Sequence, residues 1–259
     1  MTALTLHVPS PRQRIIFGNV LRNEARLTWR QPVGLVGGLA LPVALIMIFG
    51  NISTFHHKSS ALGGLTPFEV YVPVVIMLGI ALIAMMALSM PLVSYREQGI
   101  LRRLSTTPMP SSWLLGAQVV VQASIAVAST LAVLIVSMVA FGAPSPRSPG
   151  GVAVAVLLSI AGLCPLGLLV ASFAKTANGA SVIGRLMFFP MMFFAGLWLP
   201  RAEMPTILRD ISNYTPLGAA VQAIQDAILQ GFPPATPLLV LAGYAVVLGY
   251  LAHRFFRWE

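Results

Sequence analysis

Charge is what this sequence has least of. Only 9% of its 259 residues are Asp, Glu, Lys or Arg, against about a quarter in an ordinary soluble domain. So few charges cannot cover a water-facing surface. With 57% hydrophobic residues and a mean hydropathy of +0.84, the chain reads as an integral membrane protein. Cysteine is nearly missing too, and the single Cys164 excludes an intrachain disulfide and a Cys-based metal site. The four histidines, His7, His56, His57 and His253, fall outside the apolar runs. A serine nucleophile at membrane depth would therefore lack its base, and no His, Cys or carboxylate cluster suggests a metal. No Gly-x-x-x-x-Gly-Lys-Ser/Thr phosphate loop occurs, so any energy from ATP must come from another chain.

What is present is a succession of apolar runs. A bilayer core takes about 20 apolar residues per helix, and six stretches qualify: residues 33–50, 70–94, 111–141, 152–174, 179–199 and 237–252. Arg185 interrupts the fifth. The expected organisation is an N-terminal segment, 1–32, followed by a single six-span domain, 33–259. The first apolar run starts too late and runs too long for a cleaved signal peptide, so it is expected to be a retained span. Twelve basic residues fall on the side of the N-terminus, against Lys58, Arg147, Arg201 and Arg209 on the other. The positive-inside rule then places both termini in the cytoplasm, as an even number of spans requires. The net charge of +9 reads as attraction to anionic lipid, with nothing to indicate nucleic acid.

Two segments outside the spans carry a pattern. In residues 11–31, Arg22, Arg26 and Arg30 recur every fourth position and share one helix face. Ile16, Phe17, Val20, Leu21 and Leu27 fall on the other. That suits an interfacial helix, or a plain positive anchor. Glu24 lies within the apolar arc and calls for a partner, either an Arg of this chain or a cation on another subunit. Between the second and third spans, Ile100, Leu101 and Leu104 line one side of a short helix with Arg102 and Arg103 on another, and Pro108 and Pro110 stop it. A docking helix for a cytoplasmic partner needs such a face and such a stop; a generic loop needs neither.

The run Arg96-Glu97-x-Gly99-x-Leu101-x-Arg103-Leu104-x-x-Thr107-Pro108 resembles the loop after the second span in type-2 ATP-binding-cassette (ABC) exporter permeases, the daunorubicin-resistance-like multidrug exporters and the polysaccharide and lipid exporters among them. Leu27-Thr28-Trp29-Arg30-Gln31-Pro32 is similar to that family's approach to its first span. Phe194-Ala195-Gly196-Leu197-Trp198-Leu199-Pro200, continuing through Met204-Pro205 to Asn213-x-x-Pro216-Leu217, is similar to its fifth-span ending and following segment. The resemblance covers nearly the whole chain. It departs at the long polar loop 51–69.

The resemblance implies an all-α integral membrane fold: six transmembrane helices, an N-terminal amphipathic elbow helix, a cytoplasmic coupling helix and outer re-entrant helices before the last span. It implies a plasma-membrane permease without a catalytic site, pairing with a second permease, identical or not, and with ABC ATP-binding subunits. No cofactor is expected on this chain; ATP and Mg would sit on the ATPase. Coupling would fall to Glu97, Gly99, Leu101, Arg102, Arg103, Leu104 and Pro108, with Arg22, Glu24, Arg26 and Arg30 on the elbow. The expected cargo is an amphipathic or apolar small molecule (a drug, antibiotic or lipid-like substrate) moved out of the cytoplasm or inner leaflet.

Four further features refine this reading. Met204, Ile207, Leu208 and Ile211, then Leu217, Val221, Ile224 and Ile228, form two short apolar stripes, suggesting a re-entrant hairpin or a pair resting on the surface. Met77, Met85, Met86 and Met90 in the second span, and Met187, Phe188, Phe189, Met191, Met192, Phe193 and Phe194 in the fifth, make the adaptable wall a varied substrate needs. Helix packing or lipid contact would use the same residues. Gln118, Gln122 and Ser129 share a face of the third span, where polar groups usually bridge helices. Gly34 and Gly38 form a close-packing pair within or between chains. An ion-coupled secondary transporter would want intramembrane carboxylates, which are missing; a non-transport membrane-assembly protein is the other alternative.

Overall fold

The computed structural model describes residues 11–30, 32–100 and 112–255, which form helices and loops with no strand. Helix α1 spans Pro11–Arg30. Helix α2 runs through Pro32–Leu35, a π turn at Val36–Ala40 and Leu41–Gly50. Helix α3 is Pro67–Glu97 and contains a second π turn, Ile83–Ala87. Then follow α4 (Ser112–Phe141), α5 (Pro149–Phe173) and α6 (Ala177–Ala195). The short α7 (Thr206–Tyr214) and α8 (Pro216–Leu229) precede α9 (Ala235–Phe255).

Several boundaries have a local cause. Thr66 and Glu69 make a reciprocal capping box at the start of α3, satisfying two backbone donors that would otherwise be unpaired. Ser148, Thr176 and Thr215 accept from the backbone N–H three residues on, at 3.1, 3.0 and 3.2 Å, and start α5, α6 and α8. Pro67, Pro149 and Pro216 follow three of these caps, where a missing N–H costs nothing. Helices α3, α4, α5, α6 and α9 are long and apolar enough to cross a membrane, while the apolar part of α2, Val36–Gly50, is shorter. Arg185 does not interrupt α6.

The spans alternate in direction. At one end, the α1 end, Phe17 of α1 meets Trp113 of α4 edge-on at 6.0 Å, and Phe173 of α5 meets Phe255 of α9 at 5.9 Å. At the opposite end, Phe49 of α2 meets Tyr71 of α3 and Phe68 of α3 meets Phe141 of α4. The backbone N–H groups of Arg147 and Ser148 donate there to carbonyls of Ile228 and Ala227 in α8. The start of α2 and the end of α9 thus share an end of the bundle.

Helix α3 is the axis. Within its apolar window 83% is buried, against 22% for α6 and 17% for α9. Its neighbours close in on the π turn Ile83–Ala87. A Cβ at Gly167 of α5 would overlap the Ala84 carbonyl, and one at Gly184 of α6 would lie 3.0 Å from the Met85 oxygen. Gly38 of α2 faces Ile83 and Gly34 faces the Ala87 Cβ, so this close-packing pair is used within the chain. A π turn leaves carbonyls without their usual intrahelical donors. Here Gln122 of α4 donates to the Ala87 oxygen at 3.1 Å and Ser89 Oγ to the Met85 oxygen at 2.6 Å.

The polar loop 51–66 packs over the opposite end. Phe55 stacks on Phe49 at 5.0 Å, and His56 bonds the Gly50 oxygen at 2.8 Å while lying against Phe68. Helix α8, too short to span, is buried along Pro216–Val221 and at Ala223, Ile224, Ala227 and Ile228, among α5, α9, α6 and α3. Protein thus covers the backbone of this non-spanning helix, as hydrocarbon depth demands.

Candidate functional site

Three consecutive side chains at the end of α3 fasten separate parts of the chain to it. The Tyr95 hydroxyl donates to both carboxylate oxygens of Glu24 in α1, at 3.3 and 3.2 Å. The Arg96 guanidinium donates to the Ala174 carbonyl just after α5. Glu97 accepts from the Ala177 backbone N–H at 3.2 Å, at the first residue of α6, where the helix dipole favours a carboxylate. One short stretch therefore holds α1 and the α5–α6 junction together.

Glu24 is 5% exposed. Burial raises its pKa, partly offset by the hydrogen bond from Tyr95. Within the chain its partner is the Tyr95 hydroxyl and not an Arg. Arg22, Arg26 and Arg30 are exposed on the other side of α1. Helix α3 ends as Gly99 takes φ +67, a conformation that glycine alone adopts freely. The chain turns there toward the expected coupling segment, whose Leu101, Arg102, Arg103, Leu104 and Pro108 lie outside the described residues.

Above this junction lies a cavity of about 490 Å³, open on one side. Thr28 and Arg30 of α1, Gly38 of α2, Met86 and Met90 of α3 and Gln122 of α4 contribute to its wall. It touches both π turns, and Ser94 and Ala177 connect it to the junction. Its largely apolar lining suits an apolar or amphipathic guest. Of the expected pathway residues, Met86 and Met90 reach this cavity. Met77, Met85 and Met192 are fully buried in the helix-packing core. Met187, Met191 and Phe193 are half-buried, and Phe189 is exposed beside Trp198. Gln122 bridges helices as expected, while Gln118 Oε1 and Ser129 Oγ are buried without a partner.

Opposite the junction, Arg201 organises the segment between α6 and α9. It donates to the Gly218 carbonyl at 3.0 Å, to Asn213 Oδ1 and to Gln222 Oε1 at 3.5 Å. Burial makes its charged form less favourable, and nearby Asp226 partly compensates. Ser212 Oγ donates to the Phe194 carbonyl at 2.6 Å, tying α7 back to α6. Neither Arg201 nor Tyr95 stands out in the sequence. Each lies beside a recognisable motif, but its partners come together only on folding.

Residues 17–229 match the family described as ABC-2 type transporter. The chain is also 23% identical over 240 residues to the Bacillus subtilis (strain 168) protein YvfS, which is named as a transport permease, the alignment covering 90% of each chain.

Proposed function

We propose, because the chain belongs to the ABC-2 type transporter family, that it is the permease of an exporter that moves an amphipathic or apolar small molecule out of the cytoplasm or inner leaflet. Membership makes the chain a membrane transport component whose energy comes from an ABC ATPase partner. On this reading the α1 end faces the cytoplasm of a plasma membrane, and a second permease, identical or related, completes the pathway. Residues 97–104, with Pro108 as their stop, are the seat of the ATPase.

The observation that carries the reading is the junction at Tyr95, Arg96 and Glu97. The segment leaving α3 at Gly99 begins where α1 and the α5–α6 turn are already bonded to α3. A push on that segment therefore reaches α1, α3 and α6 together, and the cavity beside Met86 and Met90 borders all three. Such a linkage turns a local displacement into relative motion of spans.

Co-expression with the ATPase encoded beside the gene should give a complex that survives purification and drives ATP-dependent accumulation of an amphiphilic dye in inverted vesicles. Leu101→Ala with Leu104→Ala should break the complex without unfolding the permease, read as an unchanged melting curve of the permease alone. A complex indifferent to that double substitution would remove the coupling assignment. Accumulation with reversed sidedness would overturn export.

A further inference from the structure

Helices α6 and α9 are the two least buried spans, yet their bare faces differ. On α9, Leu239, Val246, Val247 and Tyr250 are exposed, a surface that lipid accepts. On α6 the exposed large apolar residues are Val182, Leu186 and Phe189, and among them lies Arg185, also exposed. Arg185 lies eight residues after Ala177 and ten before Ala195. At ~1.5 Å per residue that is roughly 12 and 15 Å from the helix ends, near the middle of a span. The residues facing the protein are Ala180, Gly184, Phe188 and Met192, so Arg185 points away from its own bundle.

A cation at that depth facing hydrocarbon is costly, by roughly 2.5–3.5 kcal/mol on insertion scales. Such residues usually face protein or water and pair with one another or with backbone carbonyls. Arg185 Nε donates to the Ser181 carbonyl of its own helix at 3.1 Å, and among the described residues nothing meets the rest of the guanidinium. The acidic side chains among the described residues are engaged or placed elsewhere: Glu24 on Tyr95, Glu97 on Ala177, Glu69 in its capping box, and Glu203, Asp210 and Asp226 beyond the end of α6.

We propose that Arg185 sets the charge preference of the transport pathway: the bare face of α6 receives an amphiphile with an anionic head, carboxylate or phosphate, whose tail lies along Val182, Leu186 and Phe189. The inference rests on the permease reading above and narrows its substrate class. Arginine suits the task because its planar fork stays charged and pairs bidentately with such heads.

The test uses the full permease–ATPase complex in phosphatidylcholine nanodiscs. ATP hydrolysis is measured against sub-micellar decyl phosphate, decanoate and decyltrimethylammonium. Wild type should be stimulated by the two anions and not by the cation. Arg185→Gln should raise the half-stimulating concentration of decyl phosphate roughly tenfold or more, the loss of one charged hydrogen bond or more. Arg185→Lys should recover part of it, and Arg209→Gln, on exposed α7, should behave as wild type. If phosphatidylglycerol discs alone raise hydrolysis in an Arg185-dependent way, the anion is a lipid head group and the charge assignment stands. A complex that hydrolyses ATP under stimulation yet does not distinguish the anions from the cation, or an Arg185→Gln variant that keeps the wild-type response, overturns it. A complex that never assembles fails the permease reading instead.

Discussion

At the α1 end, Tyr95, Arg96 and Glu97 reach partners 71, 78 and 80 positions away in the chain. At the opposite end, Arg201 bonds residues only 12 to 21 positions ahead, and Ser212 reaches back 18. The difference bears on what each end can do. The side-chain bonds of Arg201 and Ser212 close short loops, with little loop entropy to overcome, onto a helix α8 that is itself held among α3, α5, α6 and α9. The α1 end joins three distant parts of the chain through three side chains, so its geometry depends on how those parts sit relative to one another. On the proposed coupling, a driving subunit acts on that kind of junction, and the short-range cap is the part it works against.

Breaking the cap should have the largest effect on stability. Arg201→Met removes the donor to the Gly218 carbonyl, Asn213 and Gln222 and leaves Asp226 without its compensating charge. Hydrogen bonds from a charged donor are worth about 1.5–3 kcal/mol, so a loss of roughly 3 kcal/mol is expected in thermal unfolding of the purified protein. Gly218→Ala should follow, at about 1–3 kcal/mol, because its Cβ would overlap the Ser212 carbonyl. If both variants melt with wild type, the opposite end is not held by these short-range bonds and the contrast between the ends fails.

The junction is tested next, through Glu24. Burial holds its pKa above the ordinary carboxylate value, so the folded protein keeps this proton more firmly than the unfolded chain. The resulting contribution is fully present below the ordinary value and is lost as pH rises through the raised one. Glu24→Gln retains an acceptor for the Tyr95 hydroxyl without the charge. It should therefore gain stability relative to wild type on going from a pH below the ordinary carboxylate value to one above the raised value. Glu24→Ala strands that hydroxyl and should lose about 1 kcal/mol at either pH. A difference between Glu24→Gln and wild type that does not vary with pH would mean the carboxylate is not buried against α3.

How much of this was legible follows from the same contrast between local and distant partners. The spans were readable because a run of apolar residues needs no knowledge of its neighbours, and consecutive spans joined by short loops must alternate in direction. The capping box Thr66-Pro67-Phe68-Glu69 is equally local, yet Glu69 ends the apolar run at Val70 and so places the box in the polar loop. The π turns at Val36–Ala40 and Ile83–Ala87 left no mark, since they change hydrogen bonding without changing composition. Met77 and Met85 could not be told from Met86 and Met90: α3 is surrounded, so its burial has no periodicity. Glu24's need for a partner was visible from its place in an apolar arc, but Tyr95 is a distant residue whose hydroxyl carries no charge to betray it.

The smallest effect separates two duties of Glu97. The family resemblance puts it in the contact with the ATPase, and the fold puts its carboxylate on the first N–H of α6. A carboxylate at a helix N-terminus contributes about 0.3–1 kcal/mol at low ionic strength. Glu97→Gln should accordingly melt within that margin of wild type, with the gap shrinking as salt screens the helix dipole. If the carboxylate served only α6, the complex with the ATPase would lose no more affinity than the permease loses stability. A drop in complex affinity of tenfold, about 1.4 kcal/mol, beside so small a change in melting would show that Glu97 also contacts the ATPase. The junction and the docking surface would then share a residue, as they must if displacement of the segment after Gly99 is to move α6 directly.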